Sequence, residues 1–337
     1  MKNYLIFSND EIFLKEKKFS SNSNDTVNII ESINKKFEIF LFSKNSKKKF
    51  SFYKKLQNKI IRLDYQKILS LKKQKNLKIF MISLTLRNFI NFIIIMLFVG
   101  KIPGYLYLRS DGHKEYKKKI GFIGYLFYDL LLSFLKRNLE VISVSSKIYH
   151  SSKKMIIFPS ELDNFWFLKR KKAVTTKSIK LLYVGRIKVE KGIFSLIKLL
   201  NNSNFDYKLS VVGGEKNFRE SSKITYYKQV SEKKKLIKLY DDHNIFILPS
   251  FTEGAPKVIL ESLARLRPVI IFTEIKHVKL NLKGIFTCKR KSSSLEKKIH
   301  YILNNYKEIQ KEMKKNTLPT RESFQKELIN ILDDKNQ

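Results

Sequence analysis

The sequence predicts an α/β protein with two domains, each built on a parallel β-sheet. Its length of 337 residues fits about two domains of roughly 100–200 residues each. The composition, with 43% hydrophobic and 13% aromatic residues, is that of a chain with packed cores. In both halves, short apolar runs alternate with segments of helical spacing, which is the pattern of parallel α/β architecture.

In the first half, short apolar runs predict buried parallel strands at Tyr4–Phe7, Phe37–Phe42, Tyr105–Leu108 and Glu140–Val144. Apolar residues at helical spacing predict helices at Asp25–Lys36, Leu84–Phe98 and Tyr125–Leu135. The pattern ends in a polar stretch over residues 167–178, which we interpret as the domain boundary. The first domain is therefore predicted to cover residues 1–170.

In the second half, strands are predicted at Ile179–Val184, Tyr207–Val212, Ile245–Leu248 and Val269–Phe272. Helices are predicted at Gly192–Leu200, Lys234–Tyr240 and Pro256–Ala264. This domain is predicted to cover residues 171–318. Residues 319–337 form a last segment, whose amphipathic helix Thr320–Asp333 could pack back on the N-terminal domain.

The net charge of +38 raises the question of nucleic-acid binding. The charge is spread evenly: residues 1–170 contain 33 Lys and Arg against 13 Asp and Glu, and residues 171–337 contain 35 against 17. Because no nucleic-acid-binding motif accompanies it, we predict no nucleic-acid partner. An anionic membrane surface could be a partner of the lysine runs Lys47–Lys49, Lys54–Lys55 and Lys117–Lys119, and solvated lysine faces are at least as good an explanation.

Cysteine content and apolar runs bear on location. The single cysteine, Cys288, allows no intrachain disulfide and no cysteine-based metal site, which suits a reducing cytoplasm. The first residues predict a strand and not a signal peptide. The longest apolar run, Phe89–Val99, is too short to span a bilayer and predicts a buried helix or an interfacial segment. We expect a cytoplasmic protein, which could be peripheral on the inner face of the plasma membrane.

Two glycine-containing turns follow strands of the second half, at the strand ends where α/β domains bind ligands. The first is V-G-R-I-K-V-E-K-G over residues 184–192, in which Arg186 and Lys191 can hold phosphate oxygens and Gly185 permits a sharp turn. A basic surface loop is the alternative. The second is Gly213–Gly214, which permits close backbone approach to a ligand or is a plain turn.

The strongest motif is P-S-F-T-E-G-A-P-K-V-I-L-E over residues 249–261. A helix is predicted to begin near Pro256, where free N–H groups and the helix dipole favour a bound phosphate. Glu253 precedes this helix and could accept hydrogen bonds from sugar hydroxyls. Glu261 lies inside it, where a ribose diol would be a natural partner. The alternatives are a helix-capping acid for Glu253 and a solvated helix face for Glu261.

These motifs, in this order and at these separations, resemble the C-terminal, donor-binding domain of retaining family 4 glycosyltransferases. The resemblance covers roughly residues 179–272. It implies the GT-B fold, in which two Rossmann-like domains with parallel sheets face across an interdomain cleft. It also implies transfer of a sugar from a nucleotide diphosphate sugar with retention of configuration. We expect no cofactor, and no required metal, since no acidic metal cluster is visible and basic side chains can neutralise the phosphates.

The resemblance implies residue roles as well. Arg186 and Lys191 would bind the donor diphosphate, Glu253 the transferred sugar and Glu261 the ribose. The other expected donor-binding residues are Gly185, Gly213, Gly214, Ser250, Gly254, Ala255, Pro256, Lys257 and Val258. The expected catalytic residues are Glu253, His113, Arg186 and Lys191. His113 follows the strand Tyr105–Leu108 and could bond a sugar hydroxyl or phosphate, and a surface-turn histidine is the alternative.

The sequence departs from the family pattern in places. The family usually has glycine where Leu266 stands, and asparagine is common at the position of Lys257. Such enzymes often have a glycine-rich loop after the first strand, whereas residues 9–24 contain no glycine. Residues 158–163, F-P-S-E-L-D, resemble the P-N-G-V-D segment that typically ends the family's acceptor domain.

We therefore expect a hexosyltransferase-type enzyme whose acceptor is a lipid-linked or cell-envelope glycan, such as bacterial lipopolysaccharide. The alternatives are a catalytically silent GT-B scaffold protein and, with less support, a basic nucleic-acid-binding protein.

Overall fold

The computed structural model describes residues 2–15, 18–50, 52–150, 152, 155–170, 179–213, 221–230 and 232–333. The chain divides into two compact units. The first comprises Met1–Pro159 and Glu322–Gln337, and the second comprises Ser160–Arg321. Each unit contains a sheet of parallel strands with intervening helices, so the predicted α/β class with two Rossmann-like domains is confirmed.

The sheet of the first unit has eight strands: β1 (Asn3–Lys15), β2 (Lys18–Ser21), β3 (Glu38–Asn45), β4 (Phe52–Lys55), β5 (Ile60–Arg62), β6 (Leu77–Ile82), β7 (Gly104–Leu108) and β8 (Glu140–Ser143). Six of them are parallel in the order β5-β3-β1-β6-β7-β8. This is the 3-2-1-4-5-6 order of Rossmann folds, in which ligands bind where the strand order reverses. In this unit the reversal lies between β1 and β6.

The stretch after the first strand is a β-hairpin and not a loop. β1 continues to Lys15 and pairs antiparallel with β2, which in turn pairs antiparallel with β4. Ile12 and Phe19 on the two arms are 0% and 1% exposed. The predicted strand ended at Phe7 because polar residues follow it, but the buried apolar positions beyond them extend the strand.

Helices α1 (Asn24–Asn34), α2 (Leu86–Phe98) and α3 (Gly112–Leu135) connect strands of this sheet. Helix α3 is kinked at Ile120 and Gly121, and Gly121 has a φ of 68°, in the left-handed region that glycine adopts without steric cost. In the described part of the chain, no helix has both the length and the hydropathy needed to cross a membrane.

The last helix of the chain, Arg321–Asp333, packs against the sheet of the first unit. Its apolar residues Phe324, Leu328 and Leu332 are buried. The Tyr4 hydroxyl donates to the Leu332 carbonyl at 2.6 Å. The C-terminal segment therefore belongs to the N-terminal body of the molecule.

The sheet of the second unit has six parallel strands: β9 (Ile179–Val184), β10 (Tyr207–Val212), β11 (Ile224–Tyr227), β12 (Ile245–Leu248), β13 (Val269–Phe272) and β14 (Ile285–Cys288). Their order, β11-β10-β9-β12-β13-β14, is again 3-2-1-4-5-6, so the reversal lies between β9 and β12. The helices are α4 (Ile193–Asn201), α5 (Lys233–Asp241), α6 (Lys257–Ala264), α7 (Ser292–Asn304) and α8 (Tyr306–Met313), which makes the last helix of the chain α9.

The units divide between Pro159 and Ser160, whereas the sequence predicted a boundary after residue 170. Residues 160–170 pack on the second unit because the buried Arg265 guanidinium donates to the carbonyls of Trp166, Leu168 and Lys169 at 2.8–3.1 Å. Residues 171–178, which contain the rest of the predicted boundary, lie outside the described residues.

Candidate functional site

The strand order of the second unit places a crevice at the carboxyl ends of β9 and β12. The loops that follow these two strands are in direct contact. The Phe251 amide donates to the Glu190 carbonyl at 3.0 Å. Gly192 has a φ of 69°, and a Cβ atom there would lie 1.9 Å from the Pro249 carbonyl oxygen. Both its conformation and this close approach require glycine.

Lys191, Ser250 and Glu253 meet in this crevice. The Lys191 Nζ donates to Glu253 Oε1 at 2.7 Å, and the Ser250 Oγ donates to the same oxygen at 2.6 Å. His277 Nε2 lies 2.8 Å from the Glu253 carbonyl oxygen. The Glu253 side chain is only 9% exposed. Its carboxylate is therefore held in one orientation from two sides.

Helix α6 begins at Lys257, with Pro256 as its N-cap and no side-chain capping bond. Glu253 is thus not a helix-capping acid, so that alternative is wrong. Gly254 and Ala255 lie partly exposed on the loop just before the helix, and Val258 lies in its first turn. The positive end of the helix dipole points toward this loop, which favours an anion there.

The two glycine turns after β9 and β10 pack against each other. Gly213 has a φ of 109°, and a Cβ atom on it would lie 2.6 Å from the Gly185 carbonyl oxygen. Arg186 follows Gly185, its side chain is exposed, and its carbonyl accepts a hydrogen bond from the Tyr183 hydroxyl at 2.8 Å. Gly214 lies outside the described residues.

Glu261 lies in the second turn of α6. It is not on a solvated helix face, so the alternative of a solvated glutamate is also wrong. The Tyr240 hydroxyl donates to Glu261 Oε2 at 2.9 Å. Burial raises the pKa of Glu261 to about 7, and the hydrogen bond from Tyr240 and the charge of Lys257 act against this rise. A carboxylate of this kind changes charge near neutral pH.

The second unit of the chain is similar to a known protein family. Residues 164–318 match the model of "Glycosyl transferases group 1". The second unit is a group 1 glycosyltransferase domain. No curated protein sequence matches the chain.

Solved structures give the fold of the whole chain. Anabaena HepE in complex with UDP and glucose has a TM-score of 0.67 at 10% identity, over 99% of this chain and 100% of that one. Sucrose-phosphate synthase from Thermosynechococcus elongatus has a TM-score of 0.65 at 13% identity, over 99% and 98%. The lipopolysaccharide outer core galactosyltransferase WaaB has a TM-score of 0.60 at 15% identity, over 99% and 100%. At these identities the likeness shows the fold, which is GT-B.

Lys257, one of the departures from the family pattern, contacts Glu161 within the second unit. The Lys257 Nζ donates to Glu161 Oε1 at 2.5 Å, and both side chains are 16% exposed. Lys257 stands where asparagine is common, and Glu161 stands at the glycine of the P-N-G-V-D segment. The positive charge of Lys257 is therefore neutralised by the carboxylate of Glu161.

Another departure, Leu266, has a backbone conformation that glycine adopts without steric cost, which explains why glycine is usual there. It has a φ of 56°, in the left-handed region, directly after α6. Gln310 Nε2 donates to its carbonyl at 2.9 Å. The side chain is buried, so packing of the leucine offsets a backbone cost of about 1–2 kcal/mol.

Arg290 is a site residue that the sequence analysis missed. Its guanidinium donates from Nη2 to the Pro249 carbonyl at 2.9 Å and lies 4.1 Å from the centre of the Phe251 ring. It therefore braces the loop that carries Glu253. No local signal distinguishes it, because it is one of several basic residues in a K-R-K run.

His113 lies in the first turn of α3, in the N-terminal unit. Its Nε2 is 3.2 Å from Asp129 Oδ1, and its ring lies 4.8 Å from the ring centres of Tyr125 and Tyr128. It is thus packed across the kink of its own helix and is not a free surface-turn histidine. Its contact with substrate stays a prediction.

The N-terminal unit has its own polar crevice where its strand order reverses. A cavity of about 210 Å³ lies beside Asn9 and Asp10 of β1 and at the carboxyl ends of β6 and β7. In its wall, Arg109 Nε donates to Ser83 Oγ at 3.0 Å, and Arg109 Nη2 lies 3.6 Å from Asp10 Oδ2. Charged and hydroxyl groups of this kind suit a ligand rich in hydroxyls.

Proposed function

We propose that the protein is a retaining glycosyltransferase that transfers a hexose from a nucleotide diphosphate sugar. The contact between Lys191 and Glu253 carries the proposal. In a nucleotide sugar, the sugar is bonded directly to the diphosphate. The residue that binds the diphosphate and the residue that binds the sugar must therefore be neighbours, and these two are.

The diphosphate is proposed to bind between Arg186, Lys191 and the N-terminus of α6. Arg186 is exposed on the loop after β9, and Lys191 is more buried, with 20% of its side chain exposed. Fixed positive groups stabilise the charge that develops on the leaving diphosphate, which is the largest single contribution in many enzymes. We propose that these groups make a metal ion unnecessary.

The sugar and the ribose are proposed to bind on opposite sides of the diphosphate. Glu253 presents a carboxylate already oriented by Lys191 and Ser250, which suits hydrogen bonds from sugar hydroxyls. Glu261, held by Tyr240, is proposed to accept hydrogen bonds from the ribose diol. Backbone groups of Gly185, Gly213 and residues 254–258 would complete the donor site.

The donor and acceptor classes are proposed from the structural relatives. HepE is described in complexes with UDP and with UDP-glucose, so uridine nucleotides are the first donors to test. WaaB is a lipopolysaccharide outer core galactosyltransferase, and WaaG is described as involved in lipopolysaccharide biosynthesis. We propose a lipid-linked or cell-envelope glycan acceptor, met at the inner face of the plasma membrane, with His113 near the transferred sugar.

A transfer assay tests the proposal. The protein is incubated with UDP-hexoses and a panel of lipid-linked saccharides, UDP release is measured, and the anomer of the product is assigned by proton NMR. An α-linked donor should give an α-linked product, and EDTA should leave the rate unchanged. A β-linked product contradicts retention. If UDP release by the wild type equals that by Lys191→Met with every donor, the protein is the catalytically silent scaffold.

A further inference from the structure

The N-terminal unit exposes an apolar face on two neighbouring helices. On α2, Leu86, Ile90 and Leu97 are 46%, 47% and 72% exposed. They lie four and seven residues apart, so they share one side of the helix. The opposite side of α2 is packed in the core through Phe92 and Ile95. The run predicted as either a buried helix or an interfacial segment is therefore buried on one side and exposed on the other.

The second half of α3 has the same division. Ile123, Leu126 and Leu130 are 75%, 48% and 70% exposed and lie three and four residues apart. Tyr128 and Leu132, on the other side of the helix, are buried in the core. Just before this segment, the kink at Gly121 turns further apolar side chains outward.

The two exposed stripes form one surface. The connections β6–α2–β7 and β7–α3–β8 cross the sheet in the same direction, and right-handed crossovers place both helices on the same face of the sheet. The helices are in contact, because the ring of Phe134 lies 5.6 Å from that of Phe89 and 6.5 Å from that of Phe92. Their outward sides therefore point the same way, and we call this surface the α2–α3 face.

The surroundings of the α2–α3 face are basic. Lys117, Lys118 and Lys119 are exposed on the turn before the kink. The stretch 86–137 contains nine Lys and Arg against three Asp and Glu. One of these acids, Asp129, is held by His113 at 3.2 Å. A surface that is apolar at its centre and cationic at its edge suits an anionic lipid bilayer, because the centre enters the acyl boundary while lysines reach headgroups.

We propose that the α2–α3 face docks on an anionic membrane, with the kink of α3 inserted and Lys117–Lys119 on the lipid headgroups. Contiguous exposed apolar surface is rare on soluble monomers, so the face needs an occupant. Of the other lysine runs, 47–49 precedes β4 and 54–55 lies within it, and β4 is at the opposite end of the sheet order from β8. The inference deepens the proposed function, since docking would bring the N-terminal unit to a lipid-linked acceptor.

Vesicle sedimentation of the full chain tests the proposal. The vesicles are phosphatidylglycerol with phosphatidylethanolamine, or phosphatidylcholine alone. The wild type should bind the anionic vesicles, less at higher salt. Ile123→Glu should lower the partition coefficient at least tenfold, because it places a charge in the inserted centre. The matched control is Tyr301→Glu, an exposed apolar helix residue of the second unit, which should bind like the wild type.

Charge position is tested by two triple variants of equal charge. Replacing Lys117, Lys118 and Lys119 with glutamine should weaken binding on the order of 100-fold, and the same change at Lys47, Lys48 and Lys49 should weaken it far less. Equal losses would show diffuse charge attraction and overturn the proposal. So would wild-type binding by Ile123→Glu, or a lipid-free dimer that Ile123→Glu dissociates, since the face would then be a protein interface.

Nucleotide-sugar affinity of each variant is measured in parallel by calorimetry, without lipid. Normal donor affinity with lost vesicle binding shows that the variants are folded and that only docking is affected. Vesicle binding without donor binding in the wild type contradicts the proposed function and leaves docking intact. Failure of the docking proposal and failure of the proposed function therefore give different results.

Discussion

Lys191 Nζ lies 2.7 Å from Glu253 Oε1, and this contact joins the two loops at the reversal of strand order in the group 1 domain. The two residues are 62 positions apart in the chain. Their ion pair is mostly buried, so changing either residue alters the environment of the other. The consequences for each partner are different, because one is proposed to hold the diphosphate and the other the sugar.

Lys191→Met should weaken binding of a nucleotide diphosphate roughly 10- to 100-fold, because it removes a charge-assisted contact worth about 1.5–3 kcal/mol. Calorimetry measures the change. Lys188→Met is the matched control, since Lys188 is an exposed lysine of the same loop. Equal affinities in the two variants would show that Lys191 does not bind the diphosphate.

Glu253→Gln should depress kcat more than donor affinity. The amide keeps the shape of the side chain and can still accept from Ser250, but it loses the charge that orders sugar hydroxyls during transfer. We expect kcat to fall at least about tenfold and the Kd of the free nucleotide to change by about twofold or less. A large rise in Kd with unchanged kcat would contradict the assignment to the transferred sugar.

Glu261 should make donor affinity depend on pH. Its carboxylate is proposed to accept hydrogen bonds from the ribose, and the protonated form would accept fewer. Because burial raises its pKa to about 7, affinity for a nucleotide diphosphate sugar should rise as the pH increases from about 6 to about 8. Calorimetry at several pH values measures this, and Glu261→Gln should remove the dependence. An unchanged profile in Glu261→Gln would refute the ribose assignment.

The hydrogen bond from Tyr240 gives a second check on the same group. Tyr240→Phe keeps the ring but removes a bond that favours the carboxylate, so the midpoint of the profile should move to higher pH. The free energy of unfolding should change with pH in the opposite direction to donor affinity. The folded state holds a proton on Glu261 that the unfolded state releases from pH 4.5 upward, so the free energy of unfolding should fall between about pH 4.5 and 7 relative to Glu261→Gln.

The pair Lys257–Glu161 should show energetic coupling. A double-mutant cycle with Lys257→Met and Glu161→Gln should give roughly 0.5–3 kcal/mol of interaction free energy in denaturant unfolding, because both side chains are mostly buried. The control cycle uses Lys311 and Glu308, which are 71% and 66% exposed, and should give close to zero. Additive effects at 161 and 257 would mean that the two residues are independent.

Arg265 and Arg186 should behave in opposite ways. Arg265 is 1% exposed and its guanidinium bonds both oxygens of Asp241 at 2.9 and 2.7 Å. Arg265→Met should lower the free energy of unfolding by about 3–5 kcal/mol because the buried Asp241 loses both hydrogen bonds from Arg265, with donor affinity little changed. Arg186→Met should leave stability within about 0.5 kcal/mol and weaken donor binding. Loss of donor binding in Arg265→Met, together with loss of stability in Arg186→Met, would contradict both assignments.

The strands of the second unit could be predicted closely because buried parallel strands are continuous apolar runs. Ile245–Leu248 and Val269–Phe272 have the predicted bounds. The strands β2 and β4 were not predicted, because each has only four residues and no continuous apolar run. β4 lies at the edge of the sheet and contains two lysines, as sheet edges often do. Their pairing depends on the fold and not on local pattern.

The candidate site likewise contains residues that a local motif predicts and residues that only the fold brings together. Residues 184–192 and 249–261 are local motifs, each continuous in the chain, so sequence alone is enough to group them. Tyr240, Arg290 and Glu161 belong to the site only through contacts with residues 21 to 96 positions away. Nothing in their immediate sequence distinguishes them from core or surface residues, and only the folded chain brings them to the crevice.

The most direct test of the central claim is thermal unfolding of the wild type and of Arg186→Met with UDP-, GDP- and ADP-sugars. A ligand that binds the folded state stabilises it by about 2.7 kcal/mol at 100 times its Kd. We predict that at least one nucleotide sugar raises the Tm of the wild type and raises it clearly less in Arg186→Met. An unchanged Tm with every donor, or an equal rise in the two proteins, would contradict a donor site in the crevice between β9 and β12.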